Sequence, residues 1–235
     1  MKSIIIASTS TVHGSGPLEY LLETLKVHFN SADEILFIPY ARPSGITHDD
    51  YTSKVSEAFN KIGKSVRGIH EFDDPITAIE TAQGLFTGGG NTFVLVNQLY
   101  KNDILTSIKS AVNGGVPYLG TSAGSNICGL TMNTTNDMPI VYPPSFKTLG
   151  LVPFNINPHY LDPDPSSTHM GETRETRIGE FHAFNTQPVI GLREGSWIEV
   201  KGNKLTLKGD LDARIFEYGK SPYEIPTNSD LAFLK

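Results

Sequence analysis

Residues 117–126 read Pro-Tyr-Leu-Gly-Thr-Ser-Ala-Gly-Ser-Asn, and the interpretation of the whole chain starts from this stretch. An apolar strand runs into Gly120-Thr121-Ser122-Ala123-Gly124, the pattern G-x-S-x-G. Glycine on both sides of the serine allows a sharp strand-to-helix turn that lifts the hydroxyl out at the carboxyl end of a sheet. The stretch therefore predicts a nucleophilic Ser122, with the Ala123 N–H directed at a developing oxyanion. A turn of small residues with a helix-capping serine is the alternative.

Outward from this stretch, apolar runs alternate with helical patterns. Residues 3–7 and 35–39 are continuous apolar runs, as is typical of strands buried on both faces. Between and after them, apolar residues recur at helical spacing in residues 18–29, 51–62, 93–99 and 104–112. This alternation predicts βαβ units and a mostly parallel sheet flanked by helices, which is an α/β fold.

The pattern changes after Trp197. Residues 197–200 and 205–207 flank Lys201-Gly202-Asn203-Lys204 and predict a hairpin, and residues 213–218 suggest a further antiparallel strand. No internal repeat or linker-like segment interrupts the chain. We therefore expect residues 1–235 to form a single α/β domain with a C-terminal antiparallel hairpin at its edge.

Composition excludes several classes of function. The chain has 235 residues, with 19 basic against 25 acidic side chains and a net charge of −6, which disfavours a nucleic-acid-binding surface. The single cysteine excludes a disulfide within the chain and a zinc site built on several thiolates. The apolar run at the N-terminus is too short for a signal peptide or a membrane span. We expect a cytoplasmic protein without a membrane partner.

A second glycine-rich segment, Gly88-Gly89-Gly90-Asn91, follows another predicted strand and precedes a helix. Three glycines allow a close backbone approach to a ligand, and N–H groups at a helix start can converge on an anion. Gly89 or Gly90 could therefore supply a further oxyanion donor, or the loop could cradle a phosphate. The segment lacks the ending of a P-loop, and an ordinary glycine-rich loop is the alternative.

A serine nucleophile requires a base and a group that orients the base. Among the seven histidines, His159 stands out because it follows the strand-like residues 154–158. Four acidic residues are candidates for the orienting group: Asp137, Asp162, Asp164 and Glu194. Glu194 follows the apolar run 188–192 and thus lies at a strand end, where the sites of open α/β sheets gather.

Two arginines form the last candidate cluster. Arg174 and Arg177 would share one face of a helix, and paired guanidinium groups suit a carboxylate ligand. From the residues alone, an exposed helix with local glutamate–arginine pairs is the favoured interpretation.

Taken together, these motifs closely resemble the peptidase E family of α-aspartyl dipeptidases, which are serine exopeptidases. The resemblance runs in the same order from the first strand to about residue 200, and its motifs are residues 37–39, 49–52, 88–93, 120–126, 134–141, 156–159, 171–178 and 191–197. Ser125 departs from the family, many members of which carry alanine there. The last thirty or so residues carry little of the resemblance.

The resemblance implies a fold like that of class I glutamine amidotransferases, also described as flavodoxin-like. It implies that Ser122 is the nucleophile, His159 its base and Glu194 the third member of the triad. Asp137 is the alternative third member, or else a substrate-binding or structural residue. The chain order serine, histidine, glutamate differs from that of the α/β-hydrolases.

The resemblance also implies the reaction: hydrolysis of dipeptides with N-terminal aspartate through an acyl-enzyme. It reverses the interpretation of the arginines, since Arg174 and then Arg177 become the candidates to bind the aspartate carboxylate. The oxyanion donors would be the N–H groups of Gly89 or Gly90 and of Ala123. We expect no metal and no organic cofactor, a small peptide as the only partner, and a monomer or homodimer.

Two other functions remain possible from the sequence. A cyanophycinase-like exopeptidase shares the fold and catalytic plan but releases β-aspartyl-arginine from a polymer. A non-catalytic ligand-binding protein could also use this fold, although an intact serine, histidine and glutamate set argues against it.

Overall fold

A computed structural model describes residues 1–168 and 170–234 and contains two sheets. The strands are, in chain order, β1 (Ser3–Ala7), β2 (Glu34–Ile38), β3 (Ser65–Gly68), β4 (Leu85–Thr87), β5 (Tyr118–Thr121), β6 (Asn155–Pro158), β7 (Val189–Leu192), β8 (Trp197–Lys201), β9 (Lys204–Lys208), β10 (Ala213–Phe216) and β11 (Tyr223–Ile225). The α-helices are α1 (Leu22–His28), α2 (His48–Asn60), α3 (Pro75–Glu80), α4 (Thr92–Lys101), α5 (Leu105–Gly114), α6 (Ala123–Asn126) and α7 (Arg174–His182).

The larger sheet has seven strands in the order β3-β2-β4-β5-β1-β8-β9. The pairs among β1 to β5 are parallel, and the register places Ile6 opposite Gly120 and Ala7 opposite Thr121. Strands β8 and β9 are antiparallel and extend the sheet beyond β1. The mostly parallel α/β fold and the C-terminal antiparallel hairpin are thus confirmed.

The smaller sheet has four strands in the order β11-β10-β7-β6. Only β6 and β7 are parallel, and β10 pairs antiparallel with both β7 and β11. The sequence does not predict this division. An apolar run such as residues 188–192 records burial but not the neighbouring strand, so the pattern cannot distinguish the two sheets.

Both faces of the larger sheet are buried. Along β1, Ile5 and Ala7 join the core cluster beneath α1 and α2, whereas Ile4 and Ile6 join the cluster that holds α3, α4 and α5. This alternation follows from the two-residue period of a strand. The cluster that holds α3, α4 and α5 also contains Ile190 of β7, so the two sheets share a continuous core.

Side-chain caps fix the starts of α2, α3, α4 and α7. Asn91 Oδ1 accepts from Val94 N (3.1 Å) at the start of α4, and Thr173 Oγ1 accepts from Thr176 N (3.1 Å) at the start of α7. Each such cap stabilises a helix by about 1 kcal/mol. No helix in the described ranges combines the length and apolar character needed to span a bilayer.

Candidate active site

Ser122 lies at a strained turn between β5 and α6. Its backbone has φ 54° and ψ −113°, a conformation that L-residues rarely adopt and that costs a few kcal/mol. The flanking glycines permit it, because a Cβ at Gly120 would lie 2.4 Å from Gly124 O and one at Gly124 would lie 2.1 Å from Thr87 O. Packing therefore requires both glycines of the G-x-S-x-G pattern. The helix that follows is a single short turn.

The turn is held from the side of β1. Ser122 N donates to Ala7 O at 3.2 Å. The buried Ser125 hydroxyl lies 2.6 Å from Ala7 O and 2.7 Å from Gly120 O. Ser125 therefore stabilises the turn and does not disturb it.

His159 follows β6 and faces Ser122. Its Nε2 lies 2.8 Å from Ser122 Oγ, and its Nδ1 lies 2.5 Å from Glu194 Oε1. His159 itself has a positive φ of 52°. The structure thus brings Ser122, His159 and Glu194 into one hydrogen-bonded line. This arrangement is chemically competent for nucleophilic attack assisted by a general base.

Glu194 follows β7, the strand that is parallel and adjacent to β6. The preceding residue, Arg193, is paired with Asp162 (2.7 Å) and Glu224 (2.9 Å), and these two carboxylates raise its pKa. These two ion pairs fix Arg193 and so help to hold the adjacent Glu194 in position. Asp162 is committed to this ion pair, and Asp164 accepts hydrogen bonds from Ser166, so neither is bonded to His159.

Asp137 lies at the start of α4. Its Oδ2 accepts from Thr92 N (2.7 Å), Thr92 Oγ1 (2.6 Å) and Thr135 Oγ1 (2.9 Å). The neighbouring Asn136 donates to Pro158 O at 2.7 Å, directly before His159. Asp137 is therefore close to the line of three residues but is not a hydrogen-bonding partner of His159.

The glycine-rich segment lies against Ser122. A Cβ at Gly89 would be 2.9 Å from Ser122 Cβ, and Gly90 has a positive φ of 147°. Within the described part of the chain, the N–H groups of Gly89 and Gly90 have no hydrogen-bond acceptor. The Ala123 N–H is the first of α6, a position without an intrahelical acceptor. These donors are available to an anion.

Arg174 and Arg177 begin α7 and line a cavity of about 340 Å³. Burial and the neighbouring Arg177 lower the pKa of Arg174, and Asp137 acts in the opposite direction. Neither arginine forms an ion pair with any residue that the structure describes. The expectation of local glutamate–arginine pairs on this helix is wrong, because Glu175 pairs with Arg214 at 3.0 Å.

The comparison with protein families agrees with this geometry. A family model described as peptidase family S51 matches residues 4–208. The chain belongs to peptidase family S51. It is accordingly a serine-type peptidase, and its substrates are peptides.

Close relatives extend the match to nearly the full chain. A protein of Streptomyces coelicolor named peptidase E is 49% identical over 99% of this chain and 94% of its own length. A Drosophila melanogaster protein named probable alpha-aspartyl dipeptidase is 45% identical over 99% of this chain and 97% of its own. The crystal structure of a peptidase from an acI-B1 actinobacterium covers 99% of this chain and 97% of its own, with a TM-score of 0.73 at 15% identity, a likeness of fold.

Two residues of the site were missed by the sequence analysis. The buried Ser8 accepts from His159 N (2.9 Å) and donates to Leu192 O (2.6 Å), so it links the base to β7. Its position directly after β1 was the available signal, since sites gather at such strand ends. Tyr51 donates to Gly89 O at 3.2 Å, but its place in an apolar helical stripe indicated only core packing. Among the seven histidines considered as a base, His169 lies outside the described residues.

Proposed function

We propose that this S51 peptidase is a dipeptidase that hydrolyses dipeptides with N-terminal aspartate through an acyl-enzyme on Ser122. The observation that carries the proposal is the line of hydrogen bonds from Glu194 through His159 to Ser122, with distances of 2.5 and 2.8 Å. The uncommitted guanidinium groups of α7 and the name of the Drosophila relative support the choice of substrate.

In the first step, His159 Nε2 takes the proton of Ser122 Oγ as the oxygen attacks the scissile carbonyl carbon. The new bond joins Oγ to that carbon and leaves a negative charge on the carbonyl oxygen. Glu194 holds the imidazole with its proton on Nδ1 and stabilises the imidazolium that forms. The strained turn already holds Oγ 2.8 Å from His159 Nε2.

The oxyanion would be held by the N–H of Ala123 and by that of Gly89 or Gly90. Gly89 lies against Ser122 and Ala123 follows it directly in the chain, so these two donors are in place before the substrate binds. Donors that are already oriented need no reorganisation as charge develops. The loss of one such donor costs about 3–4 kcal/mol of transition-state stabilisation.

Acylation is completed when the carbon–nitrogen bond breaks and His159 gives its proton to the leaving amine. Water, deprotonated by the same imidazole, then attacks the ester carbonyl. The bond to Oγ breaks and free aspartate leaves. Ser122 recovers its proton, so the enzyme returns to its starting state.

Specificity for aspartate requires partners for a side-chain carboxylate and a free α-amino group. We assign the carboxylate to Arg174 first and Arg177 second, because neither has an ion-pair partner among the described residues. We assign the α-amino group to Asp137, whose Oδ2 is fully engaged and whose Oδ1 is free of hydrogen bonds within the described chain. A guanidinium left unpaired by other substrates discriminates strongly against them.

We propose that residues 1–235 form one peptidase domain that works in the cytoplasm as a monomer or homodimer. Its partner is a small peptide. It calls for no metal, organic cofactor, nucleic acid or membrane.

The test is release of free amino acid from Asp-Leu, Glu-Leu, Asn-Leu and Ala-Leu. We expect turnover of Asp-Leu alone, and a loss in Ser122→Ala of roughly 10⁴-fold or more in kcat. Arg174→Gln should lower kcat/KM for Asp-Leu by about 100-fold, and Arg177→Gln by less, since a truncated charge pair costs 2–5 kcal/mol.

Three results would contradict the proposal. Ser122→Ala with more than a few per cent of wild-type kcat would exclude the acyl-enzyme. Cleavage of a β-Asp-Arg polymer without cleavage of Asp-Leu would indicate a cyanophycinase-like enzyme. Binding of dipeptides without turnover would indicate a ligand-binding protein.

A further inference from the structure

A second cavity, of about 370 Å³, lies between α2 and the loops that follow β1 and β2, and we call it the α2 cavity. Its floor is apolar and includes Leu18, Val55 and Phe86, all of which are buried. Its rim carries two cations, Arg42 and Lys54, and both are exposed. The mechanism above assigns no role to this cavity.

The α2 cavity is joined to the reaction centre at two points. Tyr51, which lines it, donates its hydroxyl hydrogen to Gly89 O at 3.2 Å, and burial raises the pKa of Tyr51, which keeps that hydroxyl protonated. The opposite wall is the loop after β1, which begins at Ser8, the residue bonded to His159 N. A molecule in the cavity would therefore lie beside the proposed oxyanion donors.

The α2 cavity lies on one face of the larger sheet, whereas Arg177 of α7 lines a cavity together with Phe93 of α4, on the opposite face. Val55 and Phe86 belong to the core cluster beneath α1 and α2. Asp137, whose charge acts on Arg174, is bonded to the start of α4, which packs in the cluster of the opposite face. A peptide with its carbonyl carbon at Ser122 and its aspartyl side chain toward Arg174 would thus direct its leaving group toward the α2 cavity.

The rim cations have no carboxylate partner among the residues that the structure describes. Within the described ranges, neither Arg42 nor Lys54 lies within 4 Å of a carboxylate, and the Arg42 guanidinium rests 5.2 Å above the ring of Tyr51. A dipeptide's leaving group is an amino acid, which carries a free carboxylate beside a side chain. Two cations above an apolar floor match both parts of that group.

We propose that the α2 cavity binds the second residue of the dipeptide, with Arg42 and Lys54 binding its C-terminal carboxylate and the floor receiving its side chain. This inference rests on the proposed function and deepens it. It accounts for restriction to dipeptides, because an amide or a longer peptide presents no carboxylate at that position. It also favours an apolar second residue over glycine.

The experiment compares Asp-Leu with Asp-Leu amide, which differ only in the carboxylate. For the wild type we expect kcat/KM to be about 10- to 100-fold lower for the amide, mainly through KM. Arg42→Gln and Lys54→Gln should each lower kcat/KM for Asp-Leu by about 10-fold and leave the value for the amide unchanged. Lys54→Arg should restore most of the loss.

Lys61→Gln is the matched control. Lys61 is an exposed lysine directly after the last residue of α2 and does not line the cavity, so its loss should change neither substrate. Equal kcat/KM for Asp-Leu and its amide in the wild type would overturn this inference and leave the proposed function intact. Equal losses on both substrates in the Arg42 and Lys54 variants would also overturn it. No hydrolysis of Asp-Leu by the wild type would refute the proposed function itself, and this inference with it.

Discussion

The two sheets supply different halves of the candidate active site. The larger sheet presents Ser122 and the glycine-rich segment after β5 and β4, and the smaller presents His159 and Glu194 after β6 and β7. In both sheets, the residues follow adjacent parallel strands, whose carboxyl ends meet at one edge. The same topological rule thus operates twice.

What holds each half in place differs. Around Ser122, backbones approach so closely that Gly120 and Gly124 leave no room for a Cβ. Around His159, position depends on polar side chains: Ser8 bonds its backbone, Glu194 its ring, and Arg193 anchors the neighbouring loop. The nucleophile half is therefore fixed by shape and the base half by hydrogen bonds and charge. The second half should respond more to changes that preserve size but alter charge.

The strongest test of this difference between the two halves is a substitution in the base half that changes charge but not size. Glu194→Gln should lower kcat by about 10³-fold, because the imidazole loses the carboxylate that fixes its tautomer and stabilises the imidazolium. Asp137→Asn is the matched change at the start of α4, and it should raise KM for Asp-Leu with a much smaller effect on kcat. Steady-state kinetics of both variants on Asp-Leu decide between the two carboxylates. A crippled Asp137→Asn beside a nearly normal Glu194→Gln would mean that Asp137 orients the base.

A smaller effect should appear in the stability of the larger sheet as the pH falls. Burial lowers the pKa of His28 to about 4, and its Nε2 lies 3.1 Å from Tyr118 O of β5. The unfolded chain, with a histidine pKa near 6.5, binds the proton first, so stability is fully present above about pH 6.5 and lost as the pH falls toward 4. The loss from this group amounts to at most about 3 kcal/mol.

Urea unfolding at pH 7 and at pH 4.5 measures this loss. His28→Gln removes the titrating group, and we expect the variant to lose less stability on acidification than the wild type. The difference between the two proteins isolates His28 from the carboxylates that titrate in the same range. Identical losses would show that His28 is not responsible.

The smallest effect should come from the residue that joins the two halves. Ser8→Ala removes the hydroxyl that bonds both His159 N and Leu192 O, and we expect kcat to fall by about 10-fold, since such a hydrogen bond is worth about 1 kcal/mol. KM should stay unchanged, because Ser8 positions the base and does not contact substrate. Ser8→Thr keeps a hydroxyl and should recover most of the rate. A change confined to thermal stability would show that Ser8 supports the fold alone.

The parallel core could be predicted because its signals are local. Continuous apolar runs gave β1, β2 and β5, and helical periodicity gave α2, α4 and α5, within a few residues of their observed ends. The division into two sheets could not be predicted in this way. An apolar run shows that a strand is buried, whereas its partner is chosen by contacts between residues far apart in the chain.

The candidate site divides in the same way, into residues with a local sequence signal and residues placed by contacts between distant parts of the chain. By itself, the sequence determined the turn at Ser122, because the strain and the close backbone contacts there demand a local pattern of small residues. Positions at the ends of predicted strands singled out His159 and favoured Glu194, but only the resemblance to a family assigned their roles, since a lone histidine and one acid among four carry no local signature. Tertiary structure alone decided that Glu194 meets Nδ1 while Asp162 pairs with Arg193, and that Ser8 bonds the base. These partners are determined by which strand ends meet in space. The pairing of strands that are distant in the chain determines which ends meet.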